Sequence, residues 1–72
     1  MARANSVVLP SLRYWRLQRG LTQEQLAESI AMRWATVTRL EAGHPAFMRT
    51  ARLLARALGV QVAELMGRPP ET

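Results

Sequence analysis

The feature that most restricts the fold of this chain is the segment 21–43, which predicts two short amphipathic helices separated by a brief break. Thr22, followed three residues later by a glutamine, forms the capping-box pattern that begins a helix. Val37 and Leu40, at i and i+3, are the inward-facing anchors of a second helix over about 34–42. Two such helices in succession are typical of a helix-turn-helix, in which the first helix supports the second.

Three further helices are predicted around this unit, and no segment has a strand pattern. They run from about Pro10 to Arg19, from Phe47 or Met48 to Leu58, and over Gln61–Met66. The predicted core stripe of the fourth helix is Phe47, Ala51, Leu54 and Leu58, and the opposite basic stripe, interpreted as a solvated face, is Arg49, Arg52 and Arg56. The sequence therefore predicts an all-α fold, a compact five-helix bundle with a central helix-turn-helix.

Length and composition exclude several classes of function. The chain has 72 residues, which is enough for one domain, and so small a core favours a compact helical bundle or help from a dimer partner. Without cysteine, neither a disulfide nor a cysteine-ligated zinc site can form, and the single histidine, His44, cannot make a metal site alone. No nucleophile–base pair, carboxylate pair or phosphate-binding glycine loop is recognisable. We therefore expect no enzyme, no cofactor and no metal.

The ends of the chain predict its domain boundaries and its location in the cell. Residues 1–8 are predicted to be a flexible N-terminal arm, residues 9–67 the folded domain, and residues 68–72, with two prolines, a flexible tail. The apolar run near the N-terminus is too short for a signal peptide, and no segment approaches the roughly 20 apolar residues of a membrane span. We expect a soluble, cytoplasmic protein associated with the nucleoid.

The charge of the chain points to a polyanionic partner. The formal net charge is +5, the isoelectric point is about 11.6, and every basic side chain is an arginine. Arginine suits bidentate contacts with phosphate and guanine, although a high-GC genome also favours it over lysine.

Several short motifs, in this order and at this spacing, resemble one known family. They are Arg16, Gly20-Leu21-Thr22-Gln23, Leu26-Ala27, Arg39-Leu40-Glu41-x-Gly43 and Ala57-Leu58-Gly59-Val60. The chain resembles the lambda-repressor/Cro-like (Xre) helix-turn-helix proteins over about Leu9 to Met66. The resemblance implies a five-helix DNA-binding domain, usually dimeric, that acts as a prokaryotic or phage transcriptional regulator.

The same resemblance, together with a helical wheel, predicts which residues meet DNA. The predicted base-facing residues are Trp34, Ala35, Thr38 and Arg39, of which Thr38 comes from its place on the outward side of the wheel. The predicted phosphate-facing residues are Gln23, Arg33, Thr36, Gly43, His44 and Arg49, the last from its place at the start of the fourth helix. Of the base-facing set, only Arg39 can recognise guanine with a forked pair of donors.

Arg16 and Glu41 are predicted to form a partly buried, structural ion pair. Each lies at the edge of the apolar stripe of its helix, so both are drawn toward the same interface, and the resemblance implies the same pair. A buried pair is weak support for net stability, yet removal of one partner alone costs about 3–5 kcal/mol.

Three residues depart from the pattern of the family. Ala31 stands where glycine is common in the turn, and an alanine at positive φ would cost about 1 kcal/mol. Arg33 replaces the usual Ser or Thr and is a poor N-cap. Trp34 occupies a position that is often polar, and an indole there is more often packed against the core than exposed. If Trp34 is exposed instead, the expected contact is with a thymine methyl or a deoxyribose.

Two functions remain open at this point. The first is a sequence-specific regulator, repressor or autoregulator, that binds a near-palindromic operator in double-stranded DNA as a homodimer. Its two recognition helices, residues 33–42, would lie about 34 Å apart, and Val62, Leu65 and Met66 are candidate dimer contacts. The alternative is a protein-interaction module with weak or lost DNA binding, or a DNA-binding subunit that needs a partner protein. Trp34 and Ala35 at base-facing positions favour that alternative.

Overall fold

Capping residues and apolar spacing produce five helices in the computed structural model, which describes residues 6–70 of the chain. The helices are α1 (Leu12–Gln18), α2 (Gln23–Ser29), α3 (Trp34–Glu41), α4 (Met48–Leu58) and α5 (Val62–Met66). α1 is shorter than predicted at both ends, since it begins at Leu12 rather than at about Pro10 and ends at Gln18 rather than at about Arg19. The capping box of Thr22 is present, since its hydroxyl accepts from the backbone N–H of Gln25 and the Gln25 side chain accepts from Thr22 N. The all-α fold class with a central helix-turn-helix is confirmed.

A two-stranded antiparallel sheet joins the N-terminal part of the chain to the loop before α4. β1 (Ser6–Val7) pairs with β2 (Ala46–Phe47), with Ser6 opposite Phe47 and Val7 opposite Ala46. The expectation of no strands was wrong, as was the assignment of Ser6 and Val7 to a flexible arm. The reason is that two extended segments, neither of which shows a strand pattern alone, satisfy each other's backbone groups. Residues 1–5 of the predicted arm, and residues 71–72 of the predicted tail, lie outside the described residues.

Phe47 is not in the core stripe of α4, contrary to the prediction. Its side chain is 56% exposed, whereas Ala46 is only 4% exposed and takes the buried place. The backbone of Phe47 is extended, with φ −62° and ψ 148°, and α4 begins one residue later. Consecutive side chains on extended backbone point to opposite sides, so the helical spacing that placed Phe47 inward does not apply there.

The core lies between the helices and holds α3 from one side. Its buried apolar residues are Leu9, Leu12, Leu26, Ala27, Val37, Leu40, Ala46, Ala51, Leu54, Ala55, Leu58 and Leu65. Val37 and Leu40 are the buried residues of α3, as the i, i+3 spacing predicts. The contact between α2 and α3 is more extensive than the contact between any other two elements. This packing fixes α3 with its opposite face toward solvent. Among the helices that the structure describes, none has the length and apolar character needed to cross a membrane.

The turn between α2 and α3 contains a strained alanine. Ala31 has φ 55°, and it is the single non-glycine residue with positive φ in the part of the chain that the structure describes. The N–H of Met32 donates to the carbonyl oxygen of Ala27, and the N–H of Ala31 donates to that of Glu28. This is the Schellman pattern, whose left-handed position is usually glycine, because a Cβ there crowds the backbone. The family-based expectation of strain at Ala31 therefore matches the backbone observed.

We expect Ala31→Gly to raise the free energy of unfolding by about 1 kcal/mol, because it removes the steric cost of the left-handed conformation. In a domain of this size that corresponds to an increase in Tm of about 4–8 °C. Thermal melting followed by circular dichroism measures it. The matched control is Ala57→Gly on the exposed side of α4, where the same substitution lowers stability by about 1 kcal/mol. A decrease in Tm for Ala31→Gly comparable to that of the control would contradict the assignment of strain.

Candidate nucleic-acid interface

The exposed face of α3 brings together the four residues predicted to face bases. Trp34, Ala35, Thr38 and Arg39 are all exposed, while Val37 and Leu40 on the opposite side are buried. The same four side chains line one open depression of about 330 Å³. We call this surface the α3 face.

Trp34 is exposed, so the interpretation that its indole packs against the core was wrong. Its side chain is 56% exposed. Trp34 is the first residue of α3 and precedes the part of the helix that packs on the core, which begins at Val37. The indole Nε1 donates a hydrogen bond of 3.1 Å to Oε1 of Gln23. The ring is therefore held beside the start of α2 and presents much of its surface to solvent.

The amide of Gln23 connects the α3 face to the interior of the domain. Its Oε1 accepts hydrogen bonds from Trp34 Nε1 and, at 2.8 Å, from the hydroxyl of Thr38. Its Nε2 donates at 2.9 Å to Oε1 of Glu41. Gln23 was predicted to face phosphate. The structure shows it half-buried between α2 and α3, and one hydrogen of its amide nitrogen remains available to a further acceptor.

Arg16 and Glu41 form an ion pair with two contacts beneath this network. The Arg16 Nε donates to Glu41 Oε2 at 2.6 Å and its Nη2 donates to Oε1 at 3.1 Å, while Nη1 donates to the backbone oxygen of Leu21. The two side chains are only 9% and 6% exposed. The pair fixes α1 against the C-terminal end of α3. Arg16 is more deeply buried than its predicted place at the edge of the stripe, and each of the three nitrogens of its guanidinium donates one hydrogen bond.

The predicted phosphate-facing residues lie around both ends of α3. Arg33 is exposed and precedes α3 without a side-chain capping bond. At the other end, Thr36, Arg39 and His44 line a second depression with Phe47. Gly43, with φ 107°, makes the turn that leads to His44. The helix-turn-helix thus places polar and cationic groups on either side of the α3 face.

Phe47 is an interface candidate that the sequence reasoning assigned to the core. It is exposed beside the depression lined by Arg39 and His44, and the guanidinium carbon of Arg49 lies 5.8 Å from the centre of its ring. A cation at this distance over an aromatic face is held by the ring's quadrupole. Arg49, predicted to face phosphate, is therefore oriented by Phe47. The sequence carries no signal for this exposure, because Pro45 restricts the backbone of His44 before it and not that of Phe47 two residues later.

The cations around the α3 face are free of carboxylate partners within the residues 6–70. The ion pair of Arg16 and Glu41 accounts for the acidic residue of α3, and no described carboxylate lies within 4.0 Å of Arg33, Arg39 or Arg49. α4 contains no acidic residue. The surface is therefore suited to a polyanion. No group of three or more His, Cys, Asp or Glu side chains in the described part of the chain could hold a metal ion.

The predicted dimer contacts are divided between the surface and the core. Leu65 is completely buried and cannot contribute to an intermolecular contact, so this part of the prediction was wrong. Helix α5 is only five residues long, and one central residue must fill the core between α1 and α4. Val62 is half-buried and Met66 is exposed, which leaves Met66 as the accessible apolar side chain of the three.

Comparison with known proteins identifies the family of this arrangement. A family model described as helix-turn-helix, HTH_3, matches residues 12–65. A crystal structure of a hypothetical transcription factor, NHTF, from Neisseria is similar to this chain, with 28% sequence identity and a TM-score of 0.73. The similarity covers 82% of this chain and 66% of that chain, so this chain spans slightly less than two thirds of the length of that protein. No match is found among the curated proteins.

Proposed function

The chain belongs to the helix-turn-helix family whose model matches residues 12–65, and we propose on this basis that it is a DNA-binding transcriptional regulator. The observation that carries the proposal is the α3 face, where exposed Arg39 stands on a helix held from behind by buried Val37 and Leu40. The similar structure from Neisseria, described as a hypothetical transcription factor, supports the same role.

We propose that α3 lies in the major groove and that Arg39 reads a guanine. The planar guanidinium donates to O6 and N7 of guanine, a geometry that no other side chain of the α3 face can offer. Arg33, Gln23, Thr36, His44 and Arg49 would then lie near phosphates on either side of the groove and fix the register of α3. Phosphate contacts position the protein, whereas the base contacts of the α3 face carry the sequence preference.

We propose a homodimer as the binding unit. One α3 face is small, and two copies about 34 Å apart would reach successive turns of the major groove on one side of B-DNA. The operator would then be near-palindromic, and the protein a repressor or autoregulator acting on DNA in the cytoplasm. Exposed Met66, beside half-buried Val62, supplies an apolar contact for the dimer.

A protein-interaction module on the same fold is the second candidate. The observation that favours it is the exposed indole of Trp34, since aromatic residues are enriched in protein interfaces. This candidate would be supported over the first if the protein bound DNA with no measurable sequence preference and also bound a defined protein partner.

The test of the proposed function is selection of bound sequences from a random pool of DNA duplexes, with purified protein at near-physiological salt. Enrichment of an inverted repeat with half-site centres one helical turn apart would support a dimeric, sequence-specific regulator. If a folded helical protein enriches no sequence, the proposal of sequence-specific recognition fails.

We expect the affinity for DNA to depend on salt in proportion to the number of arginine–phosphate contacts. If Arg33 and Arg49 each neutralise one phosphate, a dimer has four such contacts and log K falls against log salt with a slope of about −3.6. Between 50 and 200 mM salt, this is a loss of about two orders of magnitude in affinity. Fluorescence anisotropy with a labelled duplex at a series of salt concentrations measures the slope.

Arg49→Ala should make this slope shallower by about two in the dimer, since one phosphate contact is lost from each protomer. Arg56→Ala is the matched control. It removes the same charge from the same helix, about 10 Å further along α4, and should leave the slope unchanged. Equal effects of the two substitutions would mean that Arg49 acts only through the net charge of the domain.

A further inference from the structure

The depression on the α3 face has almost no free hydrogen-bond donor apart from Arg39, and its single side-chain acceptor is the hydroxyl oxygen of Thr38. The single donor of the Trp34 indole and the hydroxyl hydrogen of Thr38 are both directed to Oε1 of Gln23. The remaining lining residue, Ala35, contributes only a methyl group. The surface that the depression offers to a ligand is therefore mainly the indole ring, hydrocarbon groups and the side chain of Arg39, with one hydroxyl oxygen as an acceptor.

We propose that this depression receives the 5-methyl group of a pyrimidine in the major groove, beside a guanine read by Arg39. The inference rests on the proposed function and names the bases that the α3 face selects. In the major groove thymine carries an apolar methyl group at C5, and cytosine has only a hydrogen there. Contact between an apolar lining and the methyl group contributes favourably to the free energy of binding. The amino and carbonyl groups of the other bases gain no such contribution from apolar groups.

The position of Arg39 in the depression determines which base lies next to the base that carries the methyl group. Arg39 lines the depression together with Trp34, Ala35 and Thr38, so its aliphatic stem lies beside the site of the methyl group. Because one side chain spans both features, we place the guanine that it reads in the base pair next to the one that carries the methyl group. The half-site therefore contains a thymine and a guanine in adjacent base pairs. The methyl group contacts the aliphatic part of the Arg39 side chain, and the guanine accepts hydrogen bonds from its guanidinium.

Cytosine methylation follows from the same geometry. 5-Methylcytosine places a methyl group at the position that thymine occupies in the groove, so a methylated cytosine beside guanine presents the same two features to the α3 face. The protein should therefore bind a methylated cytosine–guanine step more tightly than the unmethylated step. Charge is compatible with this ligand, because Arg39 has no carboxylate partner among the described residues.

The test alters single groups on the DNA selected as described above. Each thymine beside a guanine in the half-site is replaced in turn by deoxyuridine, which lacks only the methyl group. At one position per half-site we expect affinity to fall about fourfold, the value for loss of one buried methyl group. At that position a cytosine–guanine pair should bind about fourfold more tightly when the cytosine carries the 5-methyl group. Fluorescence anisotropy at fixed salt measures both ratios.

The substitution Trp34→Ala tests whether the preference for thymine over deoxyuridine arises from this depression. In Trp34→Ala the ratio of affinities for thymine and deoxyuridine should fall to near one, because part of the lining is absent. Leu53→Ala, at an exposed apolar residue of α4, is the control and should keep the fourfold ratio. Circular dichroism of both variants verifies the fold.

Three results would overturn the inference. One is a selected half-site in which no thymine adjoins a guanine. Another is a selected operator in which deoxyuridine binds as well as thymine at every such position. The third is an unchanged thymine preference in Trp34→Ala, which places the methyl group on another surface. In each case the enriched operator itself upholds the proposed function, whereas a lack of any enrichment removes both.

Discussion

Glu41→Ala is expected to lower the free energy of unfolding by about 3–5 kcal/mol, the largest effect of any single substitution considered for this chain. The carboxylate of Glu41 accepts from Arg16 Nε, from Arg16 Nη2 and from Gln23 Nε2. Its removal leaves a guanidinium that is almost wholly buried without its counter-charge. Tm in thermal melting should fall by about 4–8 °C for each kcal/mol.

Two controls separate this explanation from a general loss of charge. Glu28→Ala removes an exposed carboxylate from α2 and should change stability by less than about 0.5 kcal/mol. The double substitution Arg16→Met with Glu41→Leu replaces the pair by apolar side chains and should recover most of the lost stability. A Tm for Glu41→Ala equal to that of the unaltered protein would exclude a structural role for the pair.

Arg39→Ala is expected to weaken binding to the selected operator by about 1–3 kcal/mol, or roughly 5- to 150-fold, while the fold is retained. Arg39 is exposed and none of the described hydrogen bonds involves its side chain, so α3 does not depend on it. The loss should be concentrated at one guanine of the half-site, with binding to random DNA much less affected. Competition between operator and random duplex in an anisotropy assay measures this discrimination.

Arg39→Lys provides the sharper comparison for the same residue. Lysine keeps the positive charge but cannot make the planar, forked contact with O6 and N7 of guanine. If Arg39 reads a base, the lysine variant loses discrimination nearly as far as the alanine variant. Full discrimination with lysine would reduce the role of Arg39 to that of a positive charge near the phosphates.

Local patterns in the sequence predict most of the helical fold. The capping box at Thr22 depends on residues three apart, and the inward face of α3 depends on Val37 and Leu40 at helical spacing. Both patterns are complete within one or two turns of helix, and no distant segment of the described chain disrupts them. The outward positions of Ala35 and Arg39 follow from the same helical wheel.

Contacts between distant segments account for what the sequence did not predict. β1 exists because Ser6 and Val7 meet a partner about 40 residues later in the chain, and neither segment has a strand pattern of its own. Trp34 is exposed, and its ring nitrogen donates to Gln23, eleven residues earlier in the chain. Apolar character alone predicted burial for Trp34, and a hydrogen bond between two helices cannot be inferred from the periodicity of either one.

The amide of Gln23 links the DNA sequence preference of this chain to its stability, so that a substitution that changes one also changes the other. One end of the amide holds Trp34 and Thr38, and the other end holds Glu41, the partner of Arg16. An exchange at Trp34 or Thr38 that suits a new target sequence also releases a hydrogen bond that steadies the amide above the ion pair. A change of target by this route therefore also lowers stability, by about 1 kcal/mol for each hydrogen bond lost, whereas a change at Arg39 breaks none of the described side-chain hydrogen bonds.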